Sequence, residues 1–564
     1  MRRPTALRSL PALLIAVVLA VLPAAASNAA DVYQEVASYN WDGQSAARVA
    51  ISHDVVAVTR AISSTAGEAA VEVMRVDEAG TVLDSQTLST PPGARYFGAS
   101  LALDESRGLL YVGAYKSDQV FEYLLSTDDG DWHWREGRVF TPGDGTTNVT
   151  FGESLSLRGD RLAIGAYEAK SDDIGPYYST GGVYVADLAT GAVQRAGVTG
   201  LYINGLLGDE VLLTDRWLIS SAHQKKTRNA ANVLVQTGGL YVWDLDDLST
   251  PAMFIDHPLW GVDAVEHRTG LFSSGGVTGG FGYALAANDT DLFVSSPGET
   301  TYTAEDPSDL LGGWNNSSVD AGTTTVGAIY RFSLSDLHQV GPKIVPPPHE
   351  RAGGFNMAVE RNALLMSSVT RLDGEVGEIQ VYDIGDLATT SVPGDLMRQQ
   401  PEPVQVLRGT GARPGDWFGG SLNGGGLRVD GGRAIVASVG QTIWGRTGQA
   451  YLFSPIIPNV TEWPMTVDAP SIVYGQEGRI AAGVPGLGVP VTVQLKLNGE
   501  QHEAGTDASG TAIFDFGPAE HPAGTYPAEV SFVAPGGRDT GTAATDYVVA
   551  KAPTTVVDTN VEVR

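Results

Sequence analysis

The sequence contains no cysteine among its 564 residues. This absence excludes a disulfide framework, a thiolate zinc site and a cysteine nucleophile. Basic residues are also scarce, because 36 lysines and arginines face 65 acidic residues and leave a net charge of −29. A surface of this sign repels nucleic acid and anionic membranes, so we expect neither as a partner.

The familiar catalytic motifs are missing as well. The nine histidines are not spaced as metal-binding pairs, and the sequence contains no Gly-x-Ser-x-Gly elbow, P-loop or dinucleotide fingerprint in a strand-to-helix context. We therefore predict no catalytic residue, no cofactor and no enzymatic activity.

The one long apolar run lies at the amino terminus. Arg2, Arg3 and Arg8 precede an apolar stretch at residues 10–22, and small residues follow at 27–30. This order is typical of a secretory signal peptide spanning residues 1–30. The mature protein is accordingly expected to be extracellular, free or loosely associated with the cell surface, and without a membrane segment after cleavage.

Glycine is abundant, at 69 residues, and glycines occur between the short predicted strands of a repeated pattern. The clearest copy spans residues 151–188, with predicted strands at 153–157, 161–166 and 182–188. Arg158-Gly159-Asp160 is expected to be the turn between the first two. Six further copies bring the count to seven, and they begin near residues 45, 97, 207, 281, 354 and 418.

The recurring Phe-Gly, the Gly-Ala and the aromatic third strand resemble the FG-GAP repeats of integrin α-subunit heads and of bacterial secreted proteins. The resemblance covers residues 31–457 and implies an all-β fold, a seven-bladed β-propeller. The seventh repeat lacks a fourth strand, so we expect residues 31–39 to close the ring from the opposite end of the chain. Third-strand aromatics are expected to pack between blades: Tyr184, Tyr241, Trp243, Tyr330 and Tyr382.

The pattern changes after the propeller. Residues 458–550 contain short strands at regular spacing, including a Tyr474-Gly475-Gln476 opening and a Pro522-to-Tyr526 turn, and they resemble a bacterial Ig-like domain. No cysteine pair is present, which differs from antibody domains. Residues 551–564 are predicted to be a flexible tail.

Integrin-like repeats often bind calcium in the turn between the first two strands. The resemblance therefore raises the question of whether these turns contain the ligands of a calcium site. Three carboxylates at alternate positions are absent from these turns, and several carry an arginine instead. Ordinary hairpin turns are the favoured interpretation. Asn288, Asp289 and Asp291 are the remaining metal-ligand candidates.

The connections between second and third strands share one face of such a propeller, the face integrins use for ligands. They are long in the third, fourth and fifth repeats, at residues 168–180, 223–237 and 297–326. Long loops on a rigid scaffold are frequent binding sites, although they are also tolerated insertions. The candidate ligand-binding residues are Tyr177, Tyr178, Lys225, Arg228, Tyr302, Trp314 and Trp444.

Together these features predict a secreted, monomeric, non-catalytic recognition or adhesion protein that binds an extracellular carbohydrate or protein. One alternative is a polysaccharide hydrolase or lyase with carboxylates at the axial mouth, since blades bring distant residues together. Another is a structural surface protein without a specific ligand. Paired carboxylates beside aromatic rings would favour the enzyme.

Overall fold

The computed structural model describes most of the chain from residue 33 onward. The described residues are 33–41, 45–61, 69–126, 131–170, 180–198, 205–228, 234–258, 280–297, 327–345, 353–368, 376–389, 398–399, 401–413, 416–420, 425–438, 448–455, 461–462, 464–485, 491–498, 500–507, 509–518, 521–533 and 539–552. The predicted signal peptide lies outside them, as does the predicted tail after residue 552. None of these residues forms a helix with the length and hydrophobicity that a membrane crossing requires.

The chain divides into two compact units, one spanning Ala29–Ile456 and the other containing Ile457–Arg564. Both are built from β-strands, so the all-β prediction is confirmed. The only helical segments described are single 3₁₀ turns, such as Tyr115–Ser117 and Ile384–Asp386.

In the first unit the described strands form seven antiparallel sheets, numbered here in chain order. Sheet 1 contains β2 (Ser45–Ser52), β3 (Val55–Ala61), β4 (Ala69–Val76) and β5 (Val82–Ser89). Sheet 2 contains β6 (Phe97–Asp104), β7 (Leu109–Ala114), β8 (Gln119–Ser126) and β9 (His133–Phe140). Sheet 3 contains β10 (Leu155–Arg158), β11 (Arg161–Gly165), β12 (Val183–Asp187) and β13 (Val193–Arg195). Sheet 4 contains β14 (Val211–Leu213), β15 (Trp217–Ser221), β18 (Gly239–Asp244) and β19 (Met253–Asp256), with a separate hairpin of β16 (Lys226–Arg228) and β17 (Leu234–Gln236).

The remaining sheets follow the same order, with two additions. Sheet 5 contains β20 (Leu285–Ala287), β21 (Asp291–Ser296), β22 (Ala328–Ser333) and β23 (Lys343–Ile344), plus β27 (Arg398–Gln399) in parallel at its edge. Sheet 6 contains β24 (Gly353–Glu360), β25 (Ala363–Ser368), β26 (Glu378–Asp383) and β28 (Gln405–Leu407). Sheet 7 contains β29 (Leu427–Asp430), β30 (Arg433–Ser438), β31 (Gln449–Pro455) and, from the start of the chain, β1 (Tyr33–Asn40).

The first strands of these sheets contact one another in a closed cycle. β2, β6, β10, β14, β20, β24 and β29 each touch the next, and β29 touches β2. This is the arrangement of a β-propeller, in which the first strand of every sheet lies at the central axis. Closure depends on β1, which pairs antiparallel with β31 from Tyr33↔Pro455 to Asn40↔Gln449. The prediction that the amino-terminal strand completes the last sheet is confirmed.

Neighbouring sheets share apolar cores. One such core joins Tyr111 of β7 to Leu162 and Tyr184 of sheet 3. The five third-strand aromatics singled out from the sequence are all buried, so their predicted packing role is confirmed. Burial on both faces also explains why second strands such as β11 read as continuous apolar runs.

The repeated glycines are required by close contacts between sheets. Gly152 adopts φ +98°, a left-handed conformation that favours glycine. A Cβ on Gly165 would lie 1.9 Å from the carbonyl oxygen of Gly208 and 2.2 Å from Ser154 Oγ. Ser154 Oγ in turn donates a 2.9 Å hydrogen bond to that carbonyl oxygen, and Ser100 Oγ donates one of 2.7 Å to Gly152. The motif therefore connects sheet 2 to sheet 3 and sheet 3 to sheet 4.

The turns that connect first and second strands lie at the end of the axis opposite to the one where the first strands begin. Ion pairs bridge neighbouring turns. Arg107 pairs with Asp160 at 2.6 Å, and Arg158 pairs with Asp215 at 2.8 Å. Arg158 and Arg161 are opposite each other in the β10–β11 register, so Gly159 and Asp160 form the predicted turn. The Arg-Gly-Asp tripeptide is thus part of the hairpin.

The second unit contains two sheets. One is formed by β32 (Thr461–Glu462), β34 (Ile472–Val473), β36 (Thr492–Leu497), β37 (Glu500–Gly505), β39 (Gly524–Val533) and β40 (Asp539–Ala550), and the other by β33 (Thr466–Asp468), β35 (Gly478–Gly483) and β38 (Thr511–Phe516). Side chains from both sheets, including Ile480, Leu495, Phe514 and Tyr547, form one apolar core.

Candidate functional site at the propeller axis

Five charged side chains meet where the first strands of the propeller begin. Arg48 lies on β2 and Arg428 lies on β29, whereas Glu153 lies two residues before β10, and Asp209 and Glu210 precede β14. We call these five residues the axial cluster. Each of them except Asp209 lines a single cavity of ≈ 20 Å³, and the electrostatic coupling of Asp209 with Arg48 adds it to the group.

The two arginines are held by backbone oxygens. Arg48 Nε donates to the carbonyl oxygen of Ala99 at 2.8 Å, and Arg428 Nη1 donates to that of Leu427 at 2.9 Å. Both guanidinium groups reach within 4 Å of one point, the position that a Cβ on Gly425 would occupy. Among the described residues, no carboxylate lies within the 4 Å ion-pair distance of either group. Burial lowers the pKa of both arginines, but an arginine remains charged in proteins.

Burial acts on the carboxylates in the opposite direction. It raises the pKa of Glu210 to about 8, against a smaller lowering effect of Arg428, and that of Asp209 to about 6. Glu210 is therefore mostly protonated at neutral pH and is able to donate a hydrogen bond. His223 Nδ1 lies 3.5 Å from Asp209 Oδ2, yet burial lowers the pKa of His223 to about 4. At neutral pH this contact therefore involves a neutral imidazole.

Tyrosines surround the cluster. Tyr115 directly follows the second strand β7, and Tyr167 lies two residues after the end of β11, so both lie at the start of the second-to-third connections of sheets 2 and 3. Burial and then the charge of Glu153 raise the pKa of both phenols, which keeps them neutral donors. Tyr96 is 49% exposed and its ring lies 5.1 Å from that of Tyr115. Its φ of +59° is rare for an aromatic residue. The axial cluster thus lies at the centre of the predicted ligand face.

A larger cavity of ≈ 240 Å³ lies further along the same strands. Residues from the first strands of all seven sheets line it, most of them apolar, such as Leu101, Leu285 and Met357. Glu210 and Arg428 line both cavities, so they form the boundary between the small charged cavity, which we call the axial mouth, and the larger apolar cavity.

The three metal-ligand candidates do not converge. Asn288 Oδ1 accepts hydrogen bonds from the backbone of Thr290 and Asp291, as in an Asx turn. Asp289 is exposed and lies 3.7 Å from Arg158 Nη2. Asp291 is buried and bonds Arg331 through both carboxylate oxygens, at 2.7 and 2.9 Å. Within the described ranges, no group of three or more acidic or histidine side chains is arranged to hold a metal ion.

The ligand-face candidates fall into two groups. Tyr177, Tyr178, Tyr302, Trp314 and Trp444 lie outside the described residues. Lys225 is buried, pairs with Asp256 and lies 4.1 Å from the ring of Phe254. It therefore stabilises sheet 4 and is not exposed to a ligand. Arg228 lies on β16, in the hairpin beside sheet 4.

Sequence reasoning missed the axial cluster and its tyrosines. The available signal was the charged residue near the start of several first strands, where a propeller axis is otherwise lined by small or apolar residues. Glu153 follows Phe151-Gly152 directly, and Asp209 follows Leu207-Gly208 in the same way. The tyrosines also share a position, because Tyr115 follows Gly113-Ala114 and Tyr167 follows Gly165-Ala166.

Comparison with known proteins supports the repeat. The FG-GAP repeat family model matches residues 134–186, which include β9 to β12. The resemblance to FG-GAP repeats is confirmed over that range. No curated protein is significantly similar in sequence to this chain.

Solved β-propellers are similar at low identity. The β-propeller domain of the Trilobed protease from Pyrococcus furiosus shares 8% identity with a TM-score of 0.39, covering 74% of this chain and 95% of that one. The Pan2 WD40 domain from Neurospora crassa shares 9% identity with a TM-score of 0.36, covering 75% and 95%. The assignment of the fold depends on the ring of sheets itself.

Proposed function

We propose that this protein is a secreted, monomeric, non-catalytic recognition protein, composed of a seven-bladed FG-GAP-type propeller and an Ig-like domain. It binds an extracellular carbohydrate or protein at the end of the propeller where the second-to-third connections begin. The closed cycle of seven first strands supports the blade count. The shared core of two sheets in the second unit supports the Ig-like interpretation.

One observation carries the recognition role: an exposed tyrosine ring and the partly buried tyrosine that it contacts stand beside a cluster of charged groups at the centre of one face. Tyr96 and Tyr115 present ring surface, which packs well on a sugar face or on an apolar side chain. The axial cluster beneath them provides polar groups that orient a ligand. All of these groups lie on the first or second strands of their sheets or within two residues of one.

The test is a glycan array, together with a pull-down from extracellular polysaccharides and proteins, using the full chain without its first 30 residues. Tyr96→Asn removes the exposed ring while keeping a residue that tolerates positive φ. Binding should weaken at least about 10-fold, the loss expected for an interfacial aromatic anchor. Tyr474→Asn, which removes an exposed tyrosine from the second unit, is the matched control. Equal binding by both variants would exclude this site.

A polysaccharide-active enzyme is the second candidate function. It is favoured by the gathering of Glu153, Asp209 and Glu210 near tyrosines, with the pKa of Glu210 raised far enough for a general acid. Release of reducing ends from a polysaccharide, lost in Glu210→Gln, would establish it. Binding without product would favour the recognition role.

A further inference from the structure

We propose that Arg48 and Arg428 form a clamp for a single carboxylate, carried by a terminal acidic sugar that enters the axial mouth. This inference depends on the proposed function, because it names the chemistry of the ligand at the same site. Nothing in the family comparison assigns a role to either arginine.

The arginine pair is held in an arrangement that leaves donors available. Arg48 Nε and Nη1 donate to the carbonyl oxygens of Ala99 and Ala47, and Arg428 Nη1 donates to that of Leu427. The remaining N–H groups of both side chains have no hydrogen-bond partner within the described part of the chain. Both arginines line the ≈ 20 Å³ cavity, and Arg48 Nε and Arg428 Nη2 lie 3.3 and 3.9 Å from one point, the Cβ position of Gly425.

Gly425 is what allows the two cations to approach. A Cβ on this residue would lie 2.6 Å from Arg48 Cδ and 3.9 Å from Arg428 Nη2. Its φ of +82° also favours glycine. Two like charges held this close repel each other, and that repulsion is strongest when solvent is partly excluded. An anion between them removes the repulsion and satisfies the free donors.

The size of the space selects a small anionic group. A volume of ≈ 20 Å³ accommodates about one water molecule or one carboxylate end, and it excludes a bulky ring. Arginine forks match the planar geometry of a carboxylate. The rest of the ligand must therefore remain above the clamp, beside Tyr115 and Tyr167, where a sugar ring has aromatic surface to pack against.

The overall charge argues for one carboxylate and against a polyanion. With a net charge of −29, the protein repels an extended acidic polymer. An isolated terminal acidic sugar experiences less of this long-range repulsion and gains the local attraction of two arginines. Glu210, which lines the same cavity and is mostly protonated at neutral pH, is able to donate a further hydrogen bond.

The test is titration calorimetry on the full chain without its first 30 residues. The probes are a glucuronic-acid-terminated disaccharide and the matching glucose-terminated disaccharide, which carries a hydroxymethyl group in place of the carboxylate. The acidic probe should bind at least about 10-fold more tightly. Arg428→Gln should weaken its binding about 10- to 100-fold, the loss expected when hydrogen bonds to a charged group disappear.

A second variant keeps both charges and disturbs only their geometry. Gly425→Ala introduces a methyl group that must displace Arg48, so it should weaken acidic-probe binding to a similar extent. Gly411→Ala is the matched control, since Gly411 has φ +87° and nothing within 4 Å of a new Cβ. Thermal melting of each variant checks that it remains folded.

The outcomes separate this inference from the function on which it depends. Tight acidic-probe binding that is lost in Arg428→Gln and Gly425→Ala supports the clamp. Equal binding of the two disaccharides, or equal binding by all variants, overturns it. If neither disaccharide binds while the array still detects a ligand that requires Tyr96, the clamp is overturned and the recognition role stands.

Discussion

The side-chain amide of Gln405 forms two hydrogen bonds with the backbone of Tyr33, 372 residues earlier in the chain. The Tyr33 N–H donates to Gln405 Oε1 at 2.7 Å, and Gln405 Nε2 donates to the Tyr33 carbonyl oxygen at 2.6 Å. Gln405 belongs to sheet 6 and Tyr33 to β1, the strand that completes sheet 7. The amino-terminal strand β1 is therefore held in two ways: it completes sheet 7, and Gln405 connects it to the neighbouring sheet 6.

Loss of the Gln405 amide should weaken this closure. Gln405→Ala removes both hydrogen bonds and leaves two backbone groups of Tyr33 without these partners, at a cost of about 1–3 kcal/mol in the free energy of unfolding. Urea unfolding followed by tryptophan fluorescence measures this cost. Gln494→Ala, which changes an exposed side chain on β36 of the second unit, is the control and should change stability by less than about 0.5 kcal/mol. Similar losses in both variants would contradict the closing role.

The glycine of the Gly-Ala motif should tolerate no side chain. Gly165→Ala places a methyl group 1.9 Å from the carbonyl oxygen of Gly208, so the sheets must separate. We expect a loss of about 3 kcal/mol or more in stability. Gly159→Ala, in the adjacent turn at φ +52° with nothing within 4 Å, should cost only about 1 kcal/mol. Thermal unfolding of both variants compares the two costs, and equal costs would show that the close approach of Gly208 does not decide the cost at Gly165.

The stability of the protein should decrease between pH 6.5 and pH 8. The pKa of Glu210 is about 8 in the folded protein against a usual 4.5, so the folded state binds this proton more tightly and loses stability as pH rises through that interval. Asp209 changes stability in the same direction, but only below about pH 6. The pKa of His223 is lowered from 6.5 to about 4, so His223 increases stability with rising pH only up to pH 6.5. Above pH 6.5, Glu210 is therefore the group of these three that titrates.

Glu210→Gln provides the measurement. The free energy of unfolding of the wild type should fall by about 1.5–2 kcal/mol more than that of the variant between pH 6.5 and 8. Arg48, Arg428, Asp209 and Glu153 surround this group and are unchanged in the variant. Parallel curves for the two proteins would mean that Glu210 is already ionised at pH 6.5.

Asp291 is expected to act as a structural ion-pair partner. Asp291→Ala leaves the buried guanidinium of Arg331 without its bidentate carboxylate, at a cost of about 3 kcal/mol. The loss should be the same in calcium and in chelator, as measured by thermal melting. A loss that occurs only in calcium would instead place a calcium ion at this turn.

The sequence predicted the repeated strands because their hydrophobic periodicity and glycine punctuation are local. The predictions from the sequence that were wrong also have local causes. The first strand of sheet 3 was predicted from Glu153 but begins at Leu155, because Gly152 at φ +98° places Glu153 and Ser154 in a turn. Lys225 was predicted to be exposed because its neighbours are basic, yet it is buried against Asp256 and Phe254.

The axial cluster could not be predicted in the same way. Arg48 and Arg428 are separated by most of the propeller sequence and meet only because the ring closes. Their approach also depends on the missing side chain of Gly425, a detail that no periodic pattern records. The loop candidates came from loop length and residue type, which are weaker signals than convergence in space.

The location of binding is tested most directly by hydrogen–deuterium exchange on the full chain without its first 30 residues, with and without whichever saccharide or protein the array identifies. Ligand binding is predicted to slow exchange in the peptides around Tyr96, Tyr115 and Tyr167. Protection confined to the turns around Gly159 and Asp215, at the opposite end of the propeller axis, would contradict recognition at the axial mouth.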